Sequence, residues 1–290
     1  MPRPLAATVA ALCTVLACAT VWGSTAVGSS SPSAPGGVVA RDLYRQDCAP
    51  CHGEDGEGDG EFVYRLRTKP GDFASGRYKF KTTAPGEAPL REDVFRSITE
   101  GIATTPMLPQ FQLSDDEAWA LVDYLLALNP RHTDDAPPAH LTIPDAPAAS
   151  GADSVSRGRR VYTQMDCARC HGDRGRGDGP SATTQTDAQG RSIQPRDLRY
   201  RPRKTGDRVG DLYRVFVGGL AGTPMPSFGD ALPERDRWAL AAYVDSLGVK
   251  QYERGPLGSI GEEAVGLEIA TRAAQALRAR GGIRPLATDQ

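Results

Sequence analysis

The sequence predicts an all-α chain of two tandem domains, each made of a few short helices and much loop. The first observation is an internal repeat, because the pentapeptide at residues 48–52 returns at residues 167–171, and Trp119 returns as Trp238, both after 119 residues. The second is helical spacing of apolar side chains around each tryptophan. The third is composition, since 32 Gly and 23 Pro among 290 residues favour turns and loops. A chain of this length suits two domains of ordinary size.

The repeated pentapeptide, Cys-Ala-Pro-Cys-His and then Cys-Ala-Arg-Cys-His, is typical of covalent haem attachment. Two thiols one helical turn apart can each add to a haem vinyl group, and the next imidazole can bind the iron. Zinc would need a second pair of ligands at a suitable spacing, which neither half offers. The pattern therefore predicts two haem c groups. The predicted attachment residues are Cys48, Cys51, Cys167 and Cys170.

A methionine in each half is the candidate for the second axial ligand of the iron. Met107 and Met225 each follow a Thr-Pro pair, and proline stiffens such a loop and excludes helix. They follow the motif histidines by 55 and 54 residues, so the two halves share one register. Met165 lies only two residues before a motif cysteine, too close to reach the opposite face. The predicted axial ligands are His52, Met107, His171 and Met225.

Each half resembles a class I cytochrome c domain. A tyrosine precedes the Cys-x-x-Cys-His motif, and a Gly-rich turn, a Pro-Met loop and an aromatic-bearing terminal helix follow it. The resemblance covers residues 38–130 and 154–248 and implies short helices wrapped round a covalent haem. One departure is that Tyr162 stands five residues before its motif whereas Tyr44 stands four before, so the leading helix of the second half should be phased differently.

Local signals place the other elements. We expect a leading helix at 38–46, short helices at 93–100 and 211–217 that end at glycines, and terminal helices at 117–128 and 233–247. Ser114 and Glu117 form a capping box, and Trp119 and Trp238 should pack against the leading helices.

Two further stretches leave alternatives open. The glycines at 53–60 return at 172–179, where arginines replace acids, so a tight turn is favoured over a calcium loop. The basic-aromatic stretches at 77–81 and 199–204 could bind haem propionates, form a solvated surface or dock an acidic redox partner.

The remaining segments flank or join the two domains. Residues 131–153 are rich in Pro and Ala, which predicts an extended linker with His132 and His140 exposed. Residues 249–290 are predicted to form a tail with an amphipathic helix at 262–280. Residues 1–23 predict an export signal or membrane anchor, and residues 24–37 a flexible tether.

Three fates of the export segment remain open. Cys18 follows a lipobox-like Val-Leu-Ala and could be acylated, ordinary cleavage could occur nearby, or the apolar run could stay as an anchor. Each would place the haem domains in the periplasm or on the outer face of the cytoplasmic membrane, tethered or free.

A net charge of −2 argues against a nucleic-acid partner. If both axial positions are filled, the iron has no open site, which predicts an electron carrier rather than an enzyme. The resemblance suggests a respiratory chain, with a redox donor and acceptor or a membrane or periplasmic oxidoreductase as partners. The alternative is a dihaem cytochrome c peroxidase-type enzyme, which needs a vacant site beside an acid. A third class is a non-redox, membrane-tethered scaffold.

Overall fold

The computed structural model describes residues 35–132, 138–147 and 151–248. The predicted export segment, nearly all of the tether and the C-terminal tail lie outside this part. The described residues form helices and three isolated β-bridges but no β-strand, which confirms the all-α prediction. None of the helices in these ranges has both the length and the apolar character needed to cross a membrane.

The first half begins with a continuous helical path into the attachment motif. A π-helical turn at Tyr44–Cys48 joins the leading helix to the four-residue motif helix, and nothing in the sequence predicted it. The predicted helix at 38–46 is thus confirmed, but it is longer and changes pitch. The elements are α1 (Pro35–Leu43), the π turn, α2 (Ala49–His52), a 3-10 turn (Val63–Arg65), α3 (Arg91–Thr99) and α4 (Asp115–Ala127).

The second half reaches the same motif by a different path, as the spacing of its tyrosine predicted. Its leading helix ends at Gln164, and Asp166 absorbs the extra residue in the left-handed region, with φ 54°. The elements are α5 (Ala152–Gln164), α6 (Ala168–His171), a 3-10 turn (Ala182–Thr184), α7 (Val209–Gly218) and α8 (Glu234–Ser246).

In each half the leading helix packs against the terminal helix to form the core. Ala40 and Tyr44 are buried with Leu121 and Val122 of α4. The closest approach is at Gly158 of α5, where an added Cβ would lie 1.9 Å from a backbone oxygen of α8. The first half has Ala40 at the corresponding place, four residues before its tyrosine.

Trp238 is buried in the core of the second half and Trp119 packs half-buried against the core of the first, and the aromatic ring beside each of them belongs to a short helix that the sequence did not indicate as its partner. Trp119 stacks on Phe95 of α3 at 4.2 Å, and Trp238 lies 4.3 Å from the ring of Tyr213 in α7. The rings that face the leading helices are tyrosines one turn further along, such as Tyr124 against Tyr44. The tryptophan and the tyrosine are five residues apart and so lie about 140° apart round the terminal helix. The helix therefore contacts its two neighbours from different sides, and periodicity alone could not say which ring meets which neighbour.

The cap predictions are confirmed. Ser114 Oγ accepts from the Glu117 amide, and the Glu117 carboxylate accepts from the Ser114 amide at 2.8 Å. Pro233 is the N-cap of α8. Left-handed glycines follow α3 and α7, as expected of helix C-termini.

The glycine-rich loops share backbone geometry in both halves. Their left-handed positions are Gly53, Gly56, Gly58, Gly172, Gly175 and Gly177. An added Cβ at Gly60 or Gly179 would lie within 2.6 Å of carbonyl oxygens of the motif helix. The loop therefore wraps closely round that helix, and this close approach explains why glycines return even though the acids do not.

Within the predicted linker, residues 140–143 contact both halves. His140 bridges to Thr83, and the Leu141 amide donates to the Thr82 carbonyl at 2.7 Å, so these residues lie on the first half. Ile143 then packs against the core of the second half. His140 is exposed as predicted, while His132 is half-buried, contrary to the prediction.

Candidate haem-binding sites

The four motif cysteines are unpaired and half-buried. Burial, with smaller contributions from nearby Asp47 and Cys51, raises the pKa of Cys48 to about 12. Burial likewise raises the pKa of Cys167 to about 11. Reactive thiol pairs of redox enzymes have lowered pKa values, so these cysteines do not resemble a thiol-disulfide centre.

A tyrosine hydroxyl fixes each motif histidine relative to the leading helix. Tyr44 donates to the Gly53 carbonyl and Tyr162 to the Gly172 carbonyl, both at 2.7 Å and both buried. Each glycine directly follows its histidine in the chain. The end of the motif helix is therefore held by a side chain two turns upstream.

The motif histidines are half-buried, and desolvation lowers the pKa of both imidazoles, so they are neutral near pH 7. His171 Nδ1 lies 3.1 Å from the Arg196 carbonyl, to which it donates, and this leaves Nε2 as the atom that can bind iron. Burial lowers the pKa of His52 to about 4, against the opposing effect of the Gly71 carbonyl. His52 Nδ1 makes no hydrogen bond of normal geometry, and its ring stacks on Phe73 at 4.8 Å.

The two Pro-Met loops are held by the same three hydrogen bonds. The Met107 amide donates to Thr105 Oγ1 at 3.1 Å, and its carbonyl accepts from the Ile102 amide at 2.8 Å. In the second half the Met225 amide and carbonyl make the equivalent bonds at 3.2 Å and 3.1 Å. In both loops the threonine hydroxyl also donates to the first residue of the loop at 2.8 Å. The structure thus places each methionine in a pinned loop just beyond α3 or α7.

This set of donors fits haem c. Each half offers two thiols on a short helix, a neutral imidazole and a thioether in a fixed loop, which is the set that covalent His/Met haem attachment requires. A bare metal ion is not favoured, because no group of three or more His, Cys, Asp or Glu side chains clusters suitably in the described ranges. The structure therefore supports neither the zinc nor the calcium alternative.

Several cations of the basic-aromatic stretches bond to neighbouring loops, whereas Arg77 is exposed. Lys79 donates to the Lys69 carbonyl at 2.8 Å, and Lys81 donates to the Thr83 hydroxyl at 2.8 Å. In the second half Arg199 pairs with Asp197 at 2.7 Å, and the buried Arg203 with Asp245 at 3.2 Å. These cations hold loops in place, and burial of the Lys79 ammonium lowers its pKa.

Both halves match family models of cytochromes. Residues 39–125 match the family described as cytochrome c oxidase, cbb3-type, subunit III. Residues 155–248 match the family described as cytochrome c.

Two curated relatives are cbb3-type cytochrome c oxidase subunit CcoP proteins. The protein of Azospirillum brasilense is 27% identical over 220 residues, and that of Azospirillum sp. (strain B510) is 26% identical over 216. The matched region is 72% of this chain and 61% of each relative, so the chain spans less than two thirds of their length.

A solved structure extends the likeness over both halves. A chain of the reducing HAO-like protein complex Kustc0457/Kustc0458 of Kuenenia stuttgartiensis is 36% identical, with a TM-score of 0.69. The match covers 73% of this chain and 96% of that chain. Both halves thus share the cytochrome c fold with known proteins, and the fold carries the donor set of haem c twice. The chain belongs to the c-type cytochromes, as a dihaem electron-transfer member of class I with two tandem cytochrome c domains.

Proposed function

We propose that the chain carries single electrons between redox partners outside the cytoplasmic membrane and makes or breaks no bond in a substrate. Each half would hold one haem c covalently through its two motif cysteines. The axial pairs would be His52 with Met107 and His171 with Met225. The predicted domain boundaries, 38–130 and 154–248, remain part of this proposal.

The observation that carries the proposal is that the tyrosine hydroxyls and the Pro-Met loops are bonded alike in the two halves. The tyrosine hydroxyl bonds agree at 2.7 Å, and the three bonds of the Pro-Met loops agree within 0.3 Å. The peroxidase alternative would need one iron without its methionine ligand and an acid beside the open position. Two loops held alike support two sites of the same kind, which suits electron transfer.

Haem supplies a one-electron couple when it is bound, and the protein sets how easily the electron is gained or lost. The chain contributes orientation, since a hydrogen bond to a carbonyl fixes the tautomer of His171. It contributes burial, which keeps both imidazoles neutral. The pinned loops hold each thioether, so little reorganisation is needed when the charge of the iron changes.

The relatives suggest the class of partner. Both curated relatives are oxidase subunits, and the solved relative belongs to a multi-protein redox complex. We propose that this chain also exchanges electrons with a larger oxidoreductase of a respiratory chain. The predicted export segment, with or without acylation of Cys18, would keep it at the outer face of the cytoplasmic membrane.

The test is optical spectroscopy of the purified holoprotein, with haem quantified per chain. We expect two haem c groups and the weak red absorption band of ferric iron bound to a methionine sulfur. Met107→Leu and Met225→Leu should each remove about half of that band. Met165→Leu is the matched control and should leave it unchanged.

The peroxidase alternative is tested on the same samples. A high-spin ferric haem in the wild-type protein would contradict the carrier proposal. Oxidation of an added electron donor by hydrogen peroxide, at a rate far above that with haem alone, would also contradict it. Mass spectrometry of the mature chain separates acylation, cleavage and retention of the N-terminal segment.

A further inference from the structure

The second half carries a segment that has no counterpart in the first. Pro70 follows Gly60 by ten positions, but Pro195 follows Gly179 by sixteen. The six extra residues belong to a small hairpin at residues 185–193, here named the bridging hairpin. Thr186 bridges to Ser192, and the Ile193 amide donates to the Gln185 carbonyl at 3.0 Å.

An internal ion pair gives the bridging hairpin its shape. Asp187 accepts from the Gln189 and Arg191 amides and pairs with the Arg191 guanidinium at 2.7 Å. The side chain of Asp187 is 3% exposed and that of Arg191 21%. The Ala188 amide donates to the Gly222 carbonyl at 3.0 Å, so the hairpin also rests on the loop that contains Met225.

The tip of the bridging hairpin binds the first half. The Arg191 guanidinium donates to the Gly58 carbonyl and, at 3.3 Å, to the Pro70 carbonyl. The Gln189 side-chain amide donates to the Glu57 carbonyl at 2.6 Å. The Gly58 amide itself donates to the His52 carbonyl at 2.8 Å. The hairpin therefore connects the Met225 loop with the histidine loop of the other half.

Arg196 makes the reciprocal connection. Its carbonyl accepts the His171 Nδ1 hydrogen bond, and its guanidinium donates to the Thr104 hydroxyl at 2.9 Å. Thr104 lies in the Met107 loop, in the left-handed region with φ 60°. Other guanidinium hydrogens bond the Tyr200 and Pro202 carbonyls, which hold the side chain in place. The histidine side of each half thus faces the methionine loop of the other.

We propose that the bridging hairpin and Arg196 form an interdomain clamp that fixes one haem-binding site relative to the other, with Arg191 as the main positioning residue. A mostly buried guanidinium that donates to two carbonyls of the first half is costly to undock, because both carbonyls lose a charged donor while the ion pair with Asp187 stays within the hairpin. The redox consequence rests on the proposed function. Two irons at a fixed separation interact electrostatically, so each midpoint potential depends on the charge state of the other iron.

The experiment uses the full-length holoprotein and compares Arg191→Ala, Gln189→Ala and Arg191→Lys with wild type. Arg214→Ala is the matched control, because Arg214 pairs with Asp211 at 2.9 Å entirely within the second half. Small-angle X-ray scattering reports the freedom of the two halves, and a redox titration reports the difference between their midpoint potentials.

We expect Arg191→Ala to raise the equilibrium constant for separation of the halves by about ten- to a hundredfold, because it removes the charged hydrogen bonds to the Gly58 and Pro70 carbonyls. Its radius of gyration should increase and the difference between the potentials should change at unchanged haem content. Gln189→Ala, which leaves the internal ion pair intact, should do the same to a smaller extent. Arg191→Lys keeps a charged donor and should therefore differ from wild type less than Arg191→Ala does.

Scattering curves of Arg191→Ala and Gln189→Ala that superimpose on wild type would overturn the clamp. So would a wild-type curve that already shows freely moving halves, or an Arg214→Ala curve that changes as much. A protein that fails to cycle reversibly between ferrous and ferric forms would overturn the proposed function, while the scattering comparison would still decide the clamp.

Discussion

Single residues near the motifs, such as the tyrosines and the Pro-Met threonines, make matching hydrogen bonds in both halves, and their positions were the easiest to find in the sequence. The cysteines, histidines, tyrosines and Pro-Met loops follow short patterns whose chemistry is local, so the sequence indicates them without tertiary information. The partner of His171 Nδ1 was not predictable, because the Arg196 carbonyl lies 25 residues away and any residue type can supply a carbonyl. Arg191 was missed for a similar reason, since its acceptors are backbone atoms of the other half.

Tyr162→Phe should lower the free energy of unfolding of the holoprotein by about 1 kcal/mol, because it removes a buried hydrogen bond to the Gly172 carbonyl. Tyr44→Phe should cost a similar amount. Urea denaturation followed by far-UV circular dichroism measures the loss. Tyr124→Phe, which keeps the ring that packs against Tyr44, is the control, and an equal loss in all three variants would contradict the assignment.

At the scale of helices, ends and faces were predictable, but contacts between helices were not. The capping box, the terminal glycines and the apolar faces each depend on a few neighbouring residues. The π turn at Tyr44–Cys48 and the left-handed Asp166 are two ways to align a helix with a motif that stands four or five residues beyond a tyrosine. The spacing predicted a difference between the halves but not its form. The ring partners of the tryptophans depend on where α3 and α7 lie in three dimensions.

Gly158→Ala should destabilise the second half by about 3 kcal/mol, because the new methyl group would overlap backbone atoms of Ala239 in α8. Gly210→Ala is the matched control in a helix, since no atom lies within 4 Å of its added Cβ. That change should be neutral or stabilise by up to about 1 kcal/mol. Thermal denaturation of the two holoproteins compares them, and similar melting temperatures would show that α5 and α8 can separate without cost.

The capping box of α4 should make stability depend on pH. Hydrogen bonds from the Ser114 amide and hydroxyl lower the pKa of Glu117, so the ionised carboxylate stabilises the fold above its unfolded pKa, about 4.3. The effect is lost as pH falls through the lower folded value. Because the side chain is largely solvated, we expect about 0.5 kcal/mol. The difference between wild type and Glu117→Gln, measured by urea denaturation from pH 7 to pH 3, should therefore vanish at low pH, whereas Asp116→Asn should not reproduce this profile.

At the scale of the whole molecule, the internal repeat predicted two similar halves but not how they meet. Their contacts include an insertion in one copy and two side chains, Arg196 and Lys204, that cross to the hydroxyls of Thr104 and Thr68, and none of these has a periodic signature. The linker was predicted as a spacer because its composition is Pro- and Ala-rich. Composition does not show that a few of its residues bond to the first half.

Haem should be required for the folded state of both halves. Each core is small, and the motif helices α2 and α6 have only four residues, too few to be stable alone. The chain produced without haem attachment should lose most of its helical circular dichroism relative to the holoprotein. Absorbance at the haem bands controls for loading. An unchanged helical signal would show that the polypeptide core suffices.

Residues 140–143 contact both halves, so the length of this short segment between the two contacts is fixed. Its bridge to Thr83 sets the register at one end, and Ile143 is anchored in the opposite core. A Gly-Ser replacement of equal length would loosen both attachments, and a one-residue deletion between the anchors would force one of them to shift. The tolerance to insertion that surface connections usually show should therefore be absent here, although the composition resembles that of a passive tether.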